Sequence, residues 1–193
     1  RRHRIEGAID QVVPVHQQQC VSPHKRYGTD AMAASSSEGP RPLTLQLARP
    51  DIGFSAAHFS VLDSGSERLH GHNYRVSLLA RGSVGADGTV VDFRVLKRAL
   101  RELCAELDEH TLLPSQSGRL EVREEGDSVA VTEGKRRFVF PREDVVLLPI
   151  ENTTCECLAR HLLQALRARL PTLPVRLELR VDELPGQGAV AAE

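Results

Sequence analysis

Tryptophan is absent from the 193-residue chain, and only two tyrosines and five phenylalanines supply aromatic rings. The core must therefore be built mainly from leucine, valine and alanine. Long apolar runs are also missing: a stretch such as Val145–Leu148 falls far short of the roughly 20 residues that a membrane-spanning helix needs. The sequence predicts one domain, with or without a tail, and no transmembrane helix.

Neither sign of charge is in excess, since 25 basic side chains face 26 acidic ones and the formal net charge is −1. Binding to the phosphates of nucleic acid needs a surplus of lysine and arginine, so nucleic acid is not an expected partner. Four cysteines are scattered at Cys20, Cys104, Cys155 and Cys157, unlike the dense framework of a small secreted domain. We predict reduced thiols in a cytoplasmic protein.

The first part of the chain, residues 1–43, has no sustained apolar period and contains glutamine, serine and proline-rich stretches. Such a segment cannot bury enough surface to offset the entropy of ordering, so we predict a disordered extension before a domain at 44–193. Met32, the only methionine, is a candidate natural start, in which case residues 1–31 are not native. A targeting segment is the alternative, although its acidic residues fit that class poorly.

Alternation of apolar and polar residues predicts three half-buried strands, at 43–47, 74–78 and 175–181. Strand character also returns at 119–140, in short runs separated by turn-forming glycine-containing segments. These runs predict hairpins within an insertion at 115–148. After the last strand, proline and glycine residues predict a loop.

Two helices are predicted from leucine spacing. Leucines from Leu96 to Leu107 recur at intervals of four, three and four, and those from Leu158 to Leu170 at intervals of four. The second helix should begin near Asn152 or Thr153, which can cap free backbone amides, and end at Pro171. Strands and helices in this order predict an α+β domain whose helices pack on one face of an antiparallel sheet.

Three histidines, His58, His70 and His72, lie within fifteen residues of one another. His70 and His72 point to the same face if the chain is extended, so both imidazoles can reach one ion, and His58 can complete the set from a neighbouring strand. Three protein ligands with one open position are typical of a catalytic zinc site. Histidines without a metal are the alternative.

Five motifs in this order resemble the 6-pyruvoyltetrahydropterin synthase and 6-carboxytetrahydropterin synthase family over residues 44–193: Phe54-Ser-Ala-Ala-His58, His70-Gly-His72-Asn-Tyr74, Val90-Val-Asp92-Phe93, Glu109-His110 and Asn152-Thr-Thr-Cys-Glu156. The resemblance implies the tunnelling fold, an antiparallel four-stranded sheet with two helices on one face. It further implies oligomeric barrels, trimers or stacked hexamers, with active sites between subunits. It also implies a dihydropterin substrate and Zn²⁺ held by His58, His70 and His72.

One departure from the family changes the expected chemistry. Pyruvoyl- and carboxytetrahydropterin synthases carry a catalytic cysteine four or six positions before the first histidine of His-x-His, where this chain has Ser66 and Ser64. Glu67 instead stands three positions before His70, as in the branch in which glutamate replaces cysteine. That branch resembles enzymes that cleave the side chain of dihydroneopterin, or its triphosphate, to 6-hydroxymethyl-7,8-dihydropterin for folate synthesis. A solvated loop acid or a partner of a metal-bound histidine is the alternative for Glu67.

The resemblance also assigns the second acid or base. His110 would move a proton at the substrate side chain, oriented by Glu109 directly before it, with Asp108 as the alternative orienting acid. A charge that complements the end of a helix is the alternative for His110.

Pterin recognition needs a carboxylate that accepts two hydrogen bonds from the 2-amino and N3 region of the ring. By resemblance Glu183 matches this anchor, and the contacts at the helix start match Thr153, Thr154 and Glu156. In the insertion, the Lys135-Arg136-Arg137 cluster is either a contact for substrate phosphates or a solvated turn.

Two other functions remain open from the sequence. The first is a pyruvoyl- or carboxytetrahydropterin synthase that uses Glu67 or a serine in place of the thiol. The second is a catalytically silent module that binds zinc and pterin. The Glu-x-x-His-Gly-His spacing favours the cleavage reaction over the synthase, and the presence of His110 with its acidic neighbours argues against the silent module.

Overall fold

A computed structural model describes residues 42–193 of the chain. The expectations on disorder, targeting and Met32 concern residues that lie outside this range, apart from the last two residues of the predicted extension. Of those two, Leu43 is the first residue of a strand that ends at Leu47.

Twelve strands, two α-helices and one 3₁₀ turn follow one another in the described part of the chain. They are β1 (Leu43–Leu47), β2 (Gly53–His58), β3 (Val61–Leu62), β4 (Gly65–Ser66), β5 (His70–Gly82), α1 (Phe93–Ala105), β6 (His110–Pro114), β7 (Glu121–Glu125), β8 (Ser128–Glu133), β9 (Arg136–Pro141), the turn Arg142–Asp144, β10 (Val145–Leu148), α2 (Cys155–Arg169), β11 (Arg176–Leu184) and β12 (Gln187–Ala192).

The main sheet has seven strands in the order β10-β6-β2-β5-β11-β12, with β1 also paired to β5. The predicted α+β arrangement is present, but the sheet has three more strands than the four predicted and is mixed, because β10–β6 and β6–β2 are parallel. Strands β6 and β10 contain continuous apolar runs, which do not show the alternation of apolar and polar residues that is typical of a half-buried strand. The predicted loop after β11 is a tight turn at Gly186, which has a φ of +83° and returns the chain as β12.

Both helices cover one face of this sheet, as predicted. Tyr74, Val76 and Leu78 of β5 are buried in one core with the leucine stripes of α1 and α2, whereas Arg75 between them is exposed. The helices start at their caps: the Asp92 side chain accepts a hydrogen bond from the Arg94 amide at 2.8 Å, and Thr154 caps α2. Within residues 42–193, no helix is both long enough and apolar enough to cross a membrane.

The insertion forms a separate three-stranded antiparallel sheet of β7, β8 and β9, in agreement with the predicted hairpins. We call this sheet the inserted meander. Its Val129 and Val131 are fully buried in a second, smaller core with Phe59 and Leu113. Because Phe59 directly follows His58, the insertion packs against the end of β2 that carries a candidate metal ligand.

The β2–β5 pairing requires a glycine where the two strands approach most closely. A Cβ atom on Gly53 would lie 2.2 Å from the carbonyl oxygen of Tyr74. We expect Gly53→Ala to lower the free energy of unfolding by about 1–3 kcal/mol, because one of the two strands must move. Thermal and urea unfolding measure this difference.

Gly118→Ala is the matched control, since a Cβ on Gly118 meets no heavy atom within 4 Å. It should change the free energy of unfolding by no more than about 0.5 kcal/mol. Equal stabilities of the two variants would contradict the close approach at Gly53.

Candidate active site

The three candidate metal ligands come together on adjacent strands. His58 of β2 pairs in register with His70 of β5, and Ala56 pairs with His72, so all three imidazoles lie on the helix-covered face. Their ring centroids are separated by 4.6 Å (His58–His70), 5.2 Å (His58–His72) and 4.8 Å (His70–His72). One ligand atom from each lies within 4.8 Å of the others, which is close enough for a single ion.

Backbone carbonyls fix two of the rings. His58 Nδ1 lies 2.9 Å from the Thr153 carbonyl oxygen, and His70 Nδ1 lies 2.8 Å from that of Arg68. A carbonyl only accepts hydrogen bonds, so each Nδ1 carries the proton and each Nε2 keeps its lone pair for a metal. Burial, reinforced by the neighbouring His70, lowers the pKa of His58, which favours the neutral ligand form.

A divalent cation fits this arrangement. His58 Nε2 is buried and has no hydrogen-bond partner, a costly state unless a metal takes that position. Imidazole nitrogens suit zinc as well as copper, iron and nickel. The three histidines are thus a candidate metal site with positions left for other ligands.

The start of α2 supports the site from behind. Thr153 is fully buried, its hydroxyl donates to the Phe59 carbonyl oxygen at 3.0 Å, and its own carbonyl accepts from His58. The Thr154 hydroxyl caps the helix. Glu156 is exposed in the first turn. Of the three predicted substrate contacts in this segment, Thr153 therefore holds His58 through its main-chain carbonyl, and Thr154 caps the helix with its side chain.

Glu183 is the predicted substrate contact that the fold brings to the metal site. It is half-buried on β11, with Oε2 3.9 Å from His72 Nε2 and 3.6 Å from the Cys155 sulfur. Gln187 of β12 donates to its other oxygen, Oε1. A carboxylate held from two sides beside a metal ligand is well placed to fix the orientation of a bound heterocycle.

Cys155 and Tyr74, two groups near Glu183, both have raised pKa values and are uncharged at neutral pH. Burial first, and then the nearby Glu183 carboxylate, raise the pKa of Cys155 to about 12, so this cysteine remains a thiol rather than a nucleophilic thiolate. Burial also raises the pKa of Tyr74, whose hydroxyl is buried without a partner. Sequence reasoning missed Tyr74 as a site residue, although its place two residues after His72 on one strand put it on the same face.

Glu67 lies in the short loop between β4 and β5 and is tied to the end of β2. Its amide donates to the Ser60 carbonyl oxygen at 2.9 Å, and its Oε2 accepts from the Ser60 amide at 3.2 Å. The predicted catalytic carboxylate is thus held two residues beyond His58. Ser66, one of the two positions where a thiol would stand, donates its hydroxyl to Glu133 of the inserted meander.

His110 occupies a different part of the surface. Ala56 pairs with both His72 and His110, so the two histidines lie on either side of β2, separated by two strand spacings or about 10 Å at the backbone. A cleft of about 530 Å³ is lined by both residues and by Ser55, Asn73 and Asp144, among others.

The orientation of the His110 ring differs from the prediction, since neither the Asp108 carboxylate nor the Glu109 carboxylate is hydrogen-bonded to it. The Asp108 main-chain carbonyl contacts His110 Nδ1 at 2.6 Å, whereas the Asp108 carboxylate accepts from the Ser55 amide at 2.7 Å. Glu109 is exposed and has a left-handed φ of +59°, a conformation that costs a residue with a side chain about 1 kcal/mol or more. The side chains of Asp108 and Glu109 therefore do not orient the His110 ring. The main-chain carbonyl of Asp108 does.

Comparisons with known proteins agree with this geometry. Residues 49–193 match the family model described as 6-pyruvoyl tetrahydropterin synthase. A 6-pyruvoyl tetrahydropterin synthase from Plasmodium vivax superposes with a TM-score of 0.77 at 35% identity, covering 79% of this chain and 98% of that one. Two variants of the P. vivax enzyme, both 34% identical with a TM-score of 0.77 and the same coverage, replace a glutamate described as a catalytic residue with cysteine or alanine.

A relative of a different name matches as well. A putative 6-carboxy-5,6,7,8-tetrahydropterin synthase from Methanocaldococcus jannaschii is 31% identical over 143 residues, which cover 72% of this chain and 88% of that protein. With its curled sheet and two covering helices, the chain has the tunnelling fold and belongs to the 6-pyruvoyl tetrahydropterin synthase family, whose members are lyases of pterin synthesis.

Proposed function

We propose that this chain is a zinc-dependent lyase that cleaves the side chain of 7,8-dihydroneopterin, or its triphosphate, to 6-hydroxymethyl-7,8-dihydropterin for folate biosynthesis. One observation carries the proposal: the Glu67 carboxylate is hydrogen-bonded to the amide of Ser60, two residues after His58, and Ser64 and Ser66 occupy the positions of the usual thiol. A catalytic glutamate in the P. vivax relative supports the same role for Glu67.

His58, His70 and His72 would hold the zinc, and when bound it would supply Lewis acidity to a hydroxyl of the substrate side chain. Glu183 would accept hydrogen bonds from the 2-amino and N3 region of the pterin and so aim the side chain at the three histidines. The half-buried position of Glu183 strengthens such a charge-assisted contact.

Two proton transfers accompany the cleavage. The 2′-hydroxyl loses a proton and becomes the aldehyde of a two-carbon product, while the C1′–C2′ bond breaks and its electron pair passes into the dihydropterin ring. C1′ then receives a proton, which completes the hydroxymethyl group. We assign these transfers to Glu67 and His110, one acting as the base and the other as the acid.

This pair of residues favours a site shared between subunits. The two side chains are held on different elements, Glu67 at the β4–β5 loop and His110 on the far side of β2. We therefore propose a homo-oligomeric barrel, trimeric or hexameric, in which Glu67 of one subunit meets a histidine equivalent to His110 from another.

The names of the relatives favour a second candidate, a 6-carboxy- or 6-pyruvoyltetrahydropterin synthase. In this chain such a reaction would have to use Glu67, because the Ser66 hydroxyl is bonded to Glu133 and the Cys155 thiol has a pKa of about 12. Incubation with dihydroneopterin and with its triphosphate, followed by mass spectrometry of the pterins, separates the candidates. A hydroxymethyl product with a two-carbon aldehyde supports cleavage, a product that keeps three side-chain carbons supports pyruvoyl synthesis, and a 6-carboxy product supports carboxytetrahydropterin synthesis.

Replacement of the proposed base tests the assignment of Glu67. Glu67→Gln should lower kcat for side-chain cleavage by at least about 100-fold, since the amide cannot take up a proton, and should leave the zinc content unchanged. Asp63→Asn, at an exposed acid of the β3–β4 turn, is the control and should keep full activity. Full turnover by Glu67→Gln would remove Glu67 from the mechanism.

Removal of one histidine tests the metal site independently of turnover. His70 is exposed, so His70→Ala should keep the fold while the zinc content falls from about one ion per chain to nearly none. Elemental analysis measures the content, and added zinc should raise the melting temperature of the metal-free wild type but not of the variant. Stoichiometric zinc in His70→Ala would contradict the three-histidine site.

Alkylation tests whether Cys155 replaces the missing thiol. With a pKa of about 12, roughly one Cys155 side chain in 10⁴ is a thiolate at pH 8, so iodoacetamide should modify the more exposed Cys157 first. Peptide mass spectrometry reports the order. Faster labelling of Cys155, with loss of turnover, would instead favour a thiol-dependent synthase.

A further inference from the structure

The inserted meander contacts the loop that carries Glu67. Arg136, the first residue of β9, donates through Nη1 to both the carbonyl oxygen and the hydroxyl of Ser66 at 2.6 Å. Its Nη2 donates to the Glu67 carbonyl oxygen at 3.0 Å. One planar guanidinium thus bonds two consecutive residues of the loop through two different nitrogens.

Glu133 completes this contact from the neighbouring strand. It is the last residue of β8 and pairs with Arg136 across the turn. Its carboxylate accepts from the Ser66 amide at 3.2 Å and from the Ser66 hydroxyl. Arg119, 3.6 Å away, balances its charge. The amide, hydroxyl and carbonyl groups of Ser66 are therefore all bonded to the meander.

The contact rests on a rigid base. The Arg136 guanidinium lies 5.1 Å from the ring centroid of Phe138, and Phe138 stacks on Phe59 with ring centroids 5.0 Å apart. Phe59 is 1% exposed and directly follows His58. The same small core therefore supports both the loop of Glu67 and the strand end that carries a metal ligand.

We propose that Arg136 and Glu133 are positioning residues that hold the backbone of Ser66 and Glu67, so that the Glu67 carboxylate keeps one place relative to the three histidines. This inference rests on the proposed role of Glu67. It also replaces one of the two meanings considered for the Lys135-Arg136-Arg137 cluster, because Arg136 is bonded to protein acceptors and is not free to bind a substrate phosphate.

Positioning matters here because few other contacts hold the loop. Besides the meander, the described hydrogen bonds to Glu67 come from Ser60 alone. A displacement of about 1 Å at a catalytic group can lower a rate by about 100-fold. Loss of Arg136 should therefore affect the chemical step more than substrate binding.

Arg136→Gln, Glu133→Gln and the control Arg137→Gln test this inference in the zinc-loaded protein. Arg137 is the next residue of β9, and its side chain pairs with Glu125 on the other side of the meander at 3.4 Å. Arg136→Gln should lower kcat by about 10- to 100-fold with KM changed less than twofold, and Glu133→Gln, which keeps one acceptor for Ser66, should lose less. Arg137→Gln should match the wild type.

Hydrogen exchange supplies a readout that does not depend on turnover. Peptides covering residues 60–69 should exchange faster in Arg136→Gln than in Arg137→Gln, with equal zinc content in both. Wild-type exchange over 60–69, or a fall in activity that zinc loss or global unfolding fully explains, would overturn the inference. If the wild type cleaves neither dihydroneopterin nor its triphosphate, the proposed function fails, while the exchange data still decide whether the meander fixes the loop.

Discussion

The register of β2 against β5 is the constraint on which the candidate site depends. It places His58 opposite His70 and Ala56 opposite His72, and because side chains alternate along a strand, a slip of one residue would send the histidines of one strand to the opposite face. Gly71 fits the same constraint, since a Cβ there would lie 3.2 Å from the Ala56 carbonyl oxygen. The glycine between the two histidines thus allows the close pairing that brings them to His58.

Once that register is set, contacts from α2 and β11 orient two histidines of the candidate metal site. The buried start of α2 presents the Thr153 carbonyl to His58, and β11 presents Glu183 to His72. Each contact orients a group that would otherwise rotate, and the contact to His58 is made by a backbone atom whose position the fold already fixes. Preorganisation of this kind reduces the entropy that ordering the ligands would cost when a metal binds.

Local patterns explain which parts of this arrangement could be predicted. The period of two in β1 and β11 and the leucine stripes of α1 and α2 gave their places, and the His-x-His spacing gave a shared face. The parallel strands β6 and β10 were not predicted, because both of their faces pack against apolar residues and their sequences do not alternate between apolar and polar residues. The function of Thr153 also escaped, because a threonine that caps, one that orients a histidine and one that binds substrate look alike in a sequence.

The long-range contacts of Glu67 were beyond sequence reasoning for another reason. Ser66 and Arg136 lie 70 residues apart, and their pairing depends on how the meander packs on Phe59 rather than on any local period. The proposed site itself has two parts, whose histidines on β5 and β6 lie on either side of β2. The three histidines and Glu183 are gathered and oriented within one chain, whereas His110 lies across β2 on the exposed cleft. If the proposed function holds, metal affinity is a property of the single subunit, and turnover is a property of the assembly that brings a second subunit to Glu67.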